Sequence, residues 1–273
     1  GAALGWGAGD FTGGLASRKT GAYRAVFYGE VVGIFVLFAA ITVLGESIPN
    51  LKVWSLAMLA GACGTIGLIL LYQAMTLGLM SIAAPVSALL AAMLPVFVGV
   101  LTEGLPNVLT LIGFGFALFA VWMVSQGEGG VTNIFSHLAD LKLPLLAGIG
   151  FGLYFVLMHE ATNTGATIWP MIASRSGGLV LITIYMVITR SSWKVEDVSA
   201  WPVIALNGIL DISGNIFFIL ASQAGRLDVS AVLSSLFPGA TVLLAWIFLK
   251  ERLTRNQWIG IASALAAIVF MTI

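Results

Sequence analysis

A polar stripe interrupts one apolar segment in the second half of the chain. Asp211 has Asn207 four residues before it and Asn215 four residues after it. In an α-helix this spacing places all three side chains on one face. Since ionisable groups inside apolar helices usually face a cavity or a partner, the stripe predicts a cavity lining that binds a polar or cationic group or carries a coupling proton. The alternative is a hydrogen-bond network that only fixes the packing of neighbouring helices.

Three further ionisable residues lie inside apolar segments. Glu30 and Arg175 are 145 residues apart and occupy equivalent places in the two halves, so their opposite charges predict an ion pair across the interface between the halves. The alternative for Arg175 is direct contact with a substrate carboxylate. Asp10 lies about two turns before the basic pair Arg18 and Lys19. It is either a site residue or a carboxylate that extends to the surface.

Four aromatic residues within or near apolar segments are candidates for the same cavity: Trp6, Tyr72, Tyr154 and Trp169. Gln73 adjoins Tyr72 and adds a hydrogen-bonding group. A cavity lined by aromatic rings with few polar groups suits amphipathic solutes, through stacking and cation–π contact. Core packing is the alternative for each ring.

Prolines lie inside two of the apolar segments, Pro85 and Pro95 in one and Pro238 in another. Proline removes a backbone hydrogen bond and frees a carbonyl group. Such a kink acts as a hinge, exposes backbone groups to a substrate, or is only a static bend. Because Ser234 lies one turn before Pro238, the start of that helix is predicted to line the cavity.

The composition indicates whether these residues belong to a water-soluble domain or to a protein in a lipid bilayer. Of 273 residues, 59% are hydrophobic and only 9% are charged, and the mean hydropathy is +1.05. A soluble domain carries about a quarter charged residues, so the bilayer is the predicted environment. The formal net charge is zero, which leaves no basic surface for nucleic acid.

The residues that several classes of chemistry require are absent from the sequence. The two histidines, His137 and His159, and the single cysteine, Cys63, form no metal-ligand cluster. The pair His159-Glu160 is not followed by the second histidine of a metallohydrolase motif, and no phosphate-binding loop of the Walker type is present. The sequence therefore predicts no cofactor and no enzyme, with intramembrane hydrolysis and a channel as the minor alternatives.

Ten apolar runs reach the length that a membrane-spanning helix needs, roughly 20 residues. They are about 1–16 (expected to be truncated), 22–44, 54–77, 82–101, 107–125, 143–161, 167–189, 201–222, 229–249 and 255–273. The fold class predicted is all-α and integral to the membrane. The domain organisation predicted is a first five-helix repeat at 1–125, an inter-repeat loop at 126–142 and a second, inverted repeat at 143–273.

The two halves resemble each other in sequence. At an offset of 147 residues, Gly61 matches Gly208 and Gly67 matches Gly214. Five is an odd number of crossings, so the second copy enters the membrane upside down. Inverted repeats of this kind are typical of secondary transporters, whose substrate site lies near the midplane between the halves. The duplication within one chain also predicts a functional monomer.

Lysine and arginine are concentrated in the loops that follow the odd-numbered helices. The positive-inside rule then predicts that these loops are cytoplasmic and that both termini are external.

The segment 249–254 followed by 257–260, Leu-Lys-Glu-Arg-Leu-Thr and Gln-Trp-Ile-Gly, resembles the end of an EamA-type repeat. The first half repeats the pattern from Glu103 to Gly113. The five-plus-five layout resembles the drug/metabolite transporter superfamily, and its aromatic-amino-acid exporters in particular. The resemblance implies export of amino acids or related small amphipathic metabolites across a bacterial inner membrane. Multidrug or other metabolite exchange is the alternative within the same fold.

Overall fold

The computed structural model describes residues 1–77, 80–125, 141–163, 165–250 and 252–272. All the regular structure in these residues is helical. The first half contains α1 (Ala2–Thr20), α2 (Ala22–Leu44), α3 (Leu51–Thr76), α4 (Met80–Glu103) and α5 (Val108–Ser125). The second half contains α6 (Lys142–Thr162), α7 (Ile168–Ile188), a 3-10 turn (Val198–Ala200), α8 (Trp201–Ala224), α9 (Leu227–Ser234), α10 (Phe237–Leu249) and α11 (Arg255–Thr272).

Seven segments of the described residues are long and apolar enough to cross a membrane. They comprise α2, α3, the part of α4 from Ala83, α6, α7, Val198–Ala224 and Leu227–Leu249. Helix α5 is apolar but shorter than these segments. Helices α1 and α11 are not among the segments that are long and apolar enough to cross a membrane. Each predicted segment holds a helix, and the all-helical class is confirmed for the described residues. Ten crossings stay a prediction, and most of the predicted loop at 126–142 lies outside the described residues.

One predicted helix is interrupted. The segment 229–249 divides at Ser235 and Leu236 into α9 and α10. Pro238 has no N–H with which to continue the hydrogen-bond ladder of α9, and it is well suited to the first turn of a new helix. The prediction that Pro238 lies inside a continuous helix is therefore wrong, because it begins α10. Pro85 and Pro95 do lie inside α4.

Helix packing brings the two halves together through small residues. A Cβ atom added at Gly5 would lie 2.6 Å from the backbone nitrogen of Gly214, and one added at Gly13 would collide with Tyr72 and Asn207. Helix α1 therefore runs antiparallel to α8 at close range. Its glycines at every fourth position allow this approach, which fits membrane helices that associate by close packing.

Glu103, at the end of the first half, stabilises a helix start. The Glu103 carboxylate accepts a hydrogen bond from the backbone N–H of Leu227 (3.2 Å), at the first turn of α9. A carboxylate is favourable there because the N-terminal N–H groups of a helix are unpaired and positively polarised. The corresponding Glu251 of the second half lies outside the described residues.

Candidate functional site

A cavity of about 70 Å³ lies in the bundle, between helices of both halves. Six of the residues predicted from the sequence line it: Trp6, Asp10, Tyr154, Arg175, Asp211 and Asn215. The lining also includes residues that the sequence did not single out as site residues: Glu30, Gly61, Gly64, Thr65, Leu68, Phe151, Phe155, Ser174 and Phe237.

Arg175 is the positive centre of the cavity wall. Its Nη1 atom lies 2.8 Å from Oε2 of Glu30, and its Nη2 atom bonds Oδ2 of Asp211. The ion pair predicted between Glu30 and Arg175 is thus present, and Asp211 is a second partner. The hydroxyl of Thr65 donates to the other oxygen of Glu30 (3.1 Å). Buried charges require such partners because the bundle interior solvates them poorly.

Asp10 differs from the other two carboxylates. It is 6% exposed and lines the cavity, but the structure gives it no hydrogen-bond or ion-pair partner among the described residues. The alternative of a carboxylate that extends to the surface is therefore wrong. Because α1 packs closely on α8 through Gly5 and Gly9, this face of α1 turns into the bundle.

The polar stripe of α8 contributes both to the lining of the cavity and to hydrogen bonds between helices. Asn215 donates to the Asp211 carboxylate (3.0 Å) and accepts from the hydroxyl of Tyr154. These residues line the cavity. Asn207 instead joins helices, since its amide donates to the carbonyl of Gly9 (2.8 Å) and to the hydroxyl of Tyr72 (3.2 Å).

Tyr72 and Asn207 line a second, smaller cavity of about 10 Å³. It shares four residues with the large cavity: Glu30, Leu68, Arg175 and Asp211. The ion pair between Arg175 and Asp211 therefore forms part of the wall of both cavities. The remaining residues of the small cavity are Val26, Gly29 and Gly208.

Aromatic rings form much of the apolar wall of the large cavity. Trp6 stacks on Phe155 with ring centroids 5.4 Å apart, and Phe155 also contacts Phe218 at 4.7 Å. Tyr154 packs edge-on against Phe155. Such rings offer both apolar area and a negative π-face to a bound solute.

Three residues predicted for the site lie outside the lining of both cavities. Gln73 donates to the hydroxyl of Tyr23, which stacks on Tyr185. Trp169 lies at the start of α7, where its indole N–H donates to the carbonyl of Glu46 (2.8 Å). Ser234 is buried in the last turn of α9.

Glu46 lies in the loop after α2, and its carboxylate caps the N-terminus of α7. Its carboxylate accepts hydrogen bonds from the backbone N–H groups of Thr167 (2.7 Å), Ile168 (2.9 Å) and Trp169 (2.9 Å). These donors would otherwise be unpaired, as at any helix N-terminus. The loop thus acts as a helix cap supplied from a distant part of the sequence, and it helps to hold the helix that carries Arg175.

Replacing Glu46 with alanine is expected to lower the free energy of unfolding by about 1–2 kcal/mol, because three helix N–H groups lose their acceptor. Unfolding in detergent micelles measures the change. Glu160→Ala is the control, since its exposed pair with Lys52 is worth less than about 1 kcal/mol. Equal losses in the two variants would contradict the capping role.

Helices α3 and α7 approach each other, within their interiors, more closely than ordinary side chains allow. A Cβ atom added at Gly61 would overlap the carbonyl oxygen of Ser174, and one added at Gly177 would overlap that of Met58. Ser174 directly precedes Arg175. The close approach therefore sets the depth at which the guanidinium enters the bundle.

Comparison with known proteins agrees with this architecture. Residues 140–273 match the model of the EamA-like transporter family. The EamA-like region comprises α6 to α11. It supplies Tyr154, Arg175 and Asp211 to the cavity, whereas Asp10 and Glu30 come from the half before it.

Two relatives and one solved structure extend the comparison. An uncharacterized transporter of Synechocystis sp. is 34% identical over 143 residues, which are 52% of this chain and 42% of that protein. An uncharacterized protein of Methanocaldococcus jannaschii is 26% identical over 94 residues, which are 34% of this chain and 69% of that protein. A crystal structure superposes with a TM-score of 0.75 at 18% identity, covering 98% of this chain and 95% of that one.

The solved structure shows that the fold of nearly the whole chain has a known counterpart. Residues 140–273 are thus similar to a transporter family, and the relative of Synechocystis sp. is itself named as an uncharacterized transporter.

Proposed function

We propose that the chain is a secondary transporter that exports amino acids or related small amphipathic metabolites across a bacterial inner membrane. The observation that carries the proposal is the central cavity, which combines aromatic walls with a buried cluster of charged groups. Ionisable groups are expensive to bury in a membrane and typically mark a substrate or ion path. Residues of both halves contribute to the cavity, as expected of a site between repeats.

The packing of the helices supports an inverted repeat of five plus five helices. Under the predicted duplication, α1 corresponds to α6 and α3 corresponds to α8. Helix α1 packs antiparallel on α8, and α3 packs antiparallel on α6, where Gly64 faces Tyr154 and Gly67 faces Phe151. The two contacts exchange when the halves are exchanged. Such pseudo-symmetry favours alternating access, in which one half rocks against the other around a fixed site.

The two cavities support a path through the bundle. Arg175 and Asp211 line both of them, and the Asn207 amide donates to the Tyr72 hydroxyl (3.2 Å), which links α3 to α8 in the wall of the small cavity. In the proposed cycle a solute binds in the large cavity and leaves after the helices around the small cavity separate. The charge cluster then reorganises once in each cycle.

Flux into liposomes tests the proposal. The purified protein is reconstituted, and uptake of labelled phenylalanine and of small neutral amino acids is measured with and without a pH gradient. We expect saturable flux that falls at least about tenfold in Asp211→Asn, because this change removes a cavity charge bonded to Arg175. Flux that depends on the gradient would add proton coupling.

Asp197→Asn is the matched control for this experiment. Asp197 precedes α8 and caps the 3-10 turn through Ser199 (2.9 Å), a bond that asparagine also makes. Its side chain is 44% exposed. Flux equal to wild type is expected. If folded wild-type protein moves no amino acid, the amino-acid assignment fails, and equal losses in both variants would contradict the placement of the site.

A further inference from the structure

We infer that the large cavity selects an organic ammonium group attached to an aromatic or apolar body, and that Asp10 is the carboxylate that receives the ammonium. The inference rests on the proposed transport function and narrows its substrate class. It follows from the charge balance of the cavity, from the isolation of Asp10 and from the nature of the walls.

The charge balance of the lining is negative. Three carboxylates, of Asp10, Glu30 and Asp211, face the cavity with the single guanidinium of Arg175. When all four groups are ionised, the cluster has two negative charges in excess. In a medium of low polarity such an excess is costly unless a cation enters or a carboxylate takes up a proton. A positively charged ligand therefore gains more from this site than a neutral or negative one.

Asp10 is the carboxylate that is free to bind the cation. Glu30 and Asp211 both bond Arg175, and Glu30 and Asp211 also accept from Thr65 and Asn215. Only 6% of Asp10 is exposed, and no described residue donates a hydrogen bond to its carboxylate. An ammonium group in the cavity would supply the missing donors, because it carries up to three N–H bonds and a positive charge.

The same charge distribution disfavours an anionic ligand. The only cation of the described lining is Arg175, and both ends of its guanidinium are occupied by carboxylates. A ligand carboxylate would compete with Glu30 and Asp211 for this one cation and would add a further negative charge to the lining, which is unfavourable in a poorly solvated interior. The carboxylate of an amino acid consequently weakens its binding at this site, whereas its amino group strengthens it.

The walls define the rest of the ligand. Trp6, Phe151, Tyr154, Phe155 and Phe237 surround the charged cluster, so an aromatic or aliphatic body finds apolar contact and an ammonium finds π-faces. A metal ion is a poor fit, because no group of three carboxylate, imidazole or thiol side chains in the described part of the chain is placed to hold one. The geometry favours a compact amphipathic amine.

Three ligands that share a benzene ring on a two-carbon chain test the inference: phenethylamine (ammonium only), phenylalanine (ammonium and carboxylate) and 3-phenylpropionate (carboxylate only). Isothermal titration calorimetry on the full chain in nanodiscs measures their affinities. We expect phenethylamine to bind at least about tenfold more tightly than 3-phenylpropionate, with phenylalanine between them. Equal affinities, tighter binding of 3-phenylpropionate, or no binding of phenethylamine would overturn the inference.

Two variants of the same residue locate the ammonium site. Asp10→Asn keeps the size of the side chain and is expected to abolish the preference for phenethylamine, whereas Asp10→Glu keeps the charge and should retain it. Asp197→Asn is the control outside the cavity and should match wild type. Thermal unfolding of each variant verifies that it is folded. A preference that persists in folded Asp10→Asn would overturn the assignment of Asp10.

The liposome assay separates this inference from the transport function. If labelled phenylalanine is transported but excess phenethylamine does not inhibit its flux, the selectivity inference fails and the transporter stands. If phenethylamine binds with the expected selectivity but the liposomes show no flux of phenethylamine or of any amino acid, the transport function fails while the cavity remains an ammonium site.

Discussion

Replacing Arg175 with methionine is expected to lower the free energy of unfolding by about 3–5 kcal/mol, which is the usual cost of removing one partner from a buried ion pair. The guanidinium side chain is 10% exposed, and the Glu30 side chain is 4% exposed. Methionine has similar length but no charge, so Glu30 and Asp211 would lose their common partner next to the unpaired Asp10. Equilibrium unfolding in mixed detergent micelles measures the loss.

Two further variants define the cause of that loss. Lys52→Met removes a cation from an exposed pair in which the lysine side chain is 73% exposed, and it is expected to cost less than about 1 kcal/mol. Adding Glu30→Gln and Asp211→Asn to Arg175→Met should restore part of the stability, because no uncompensated charge then remains in the cluster. If Arg175→Met is as stable as wild type, the ion pairs are not what holds α7 to α2 and α8.

Replacing Gly61 with alanine is expected to destabilise the bundle by about 1–3 kcal/mol, the range observed when a methyl group is forced into a packed core. The new Cβ atom would overlap the backbone carbonyl of Ser174. Backbone cannot rotate away as a side chain can, so α3 and α7 would have to separate. The separation would also move Arg175, and binding of phenethylamine should weaken together with the stability.

Gly115 provides the control for this prediction. It lies inside α5, and a Cβ atom added there meets nothing within 4 Å. Gly115→Ala is expected to leave stability unchanged or to raise it by up to about 1 kcal/mol, because alanine is the better helix former. Both variants add one methyl group to a helical glycine. Equal effects on unfolding would contradict the close approach of α3 and α7.

The features that depend on one helix or on the internal repeat were predictable from the sequence. Helical geometry alone places Asn207, Asp211 and Asn215 on one face, and the repeat pairs Glu30 with Arg175. Asp10 had two possible roles, because periodicity shows that a residue is on a face but not which neighbour covers that face. The packing of α1 on α8 decides between them.

Other features could not be predicted because their cause lies elsewhere in the chain. Phe151, Phe155 and Phe237 line the cavity, but the chain has 16 phenylalanines, and an isolated phenylalanine in an apolar helix gives no specific signal. Trp169 contacts Glu46, which is 123 positions away in the sequence, so nothing near it reveals that it anchors a helix start. Single-sequence patterns describe faces and lengths, whereas the lining of a cavity depends on which faces meet.

The contribution of one ion pair to the walls of both cavities has a consequence for the leakage of inorganic ions in the proposed transport cycle. Arg175 and Asp211 contribute to the wall of the large cavity and to that of the small one. An inorganic ion that reaches this point meets fixed charges of both signs, one of which repels a cation and the other an anion. Under the proposed function, the closed pair therefore allows a solute to occupy the cavity without dissipating ion gradients across the membrane.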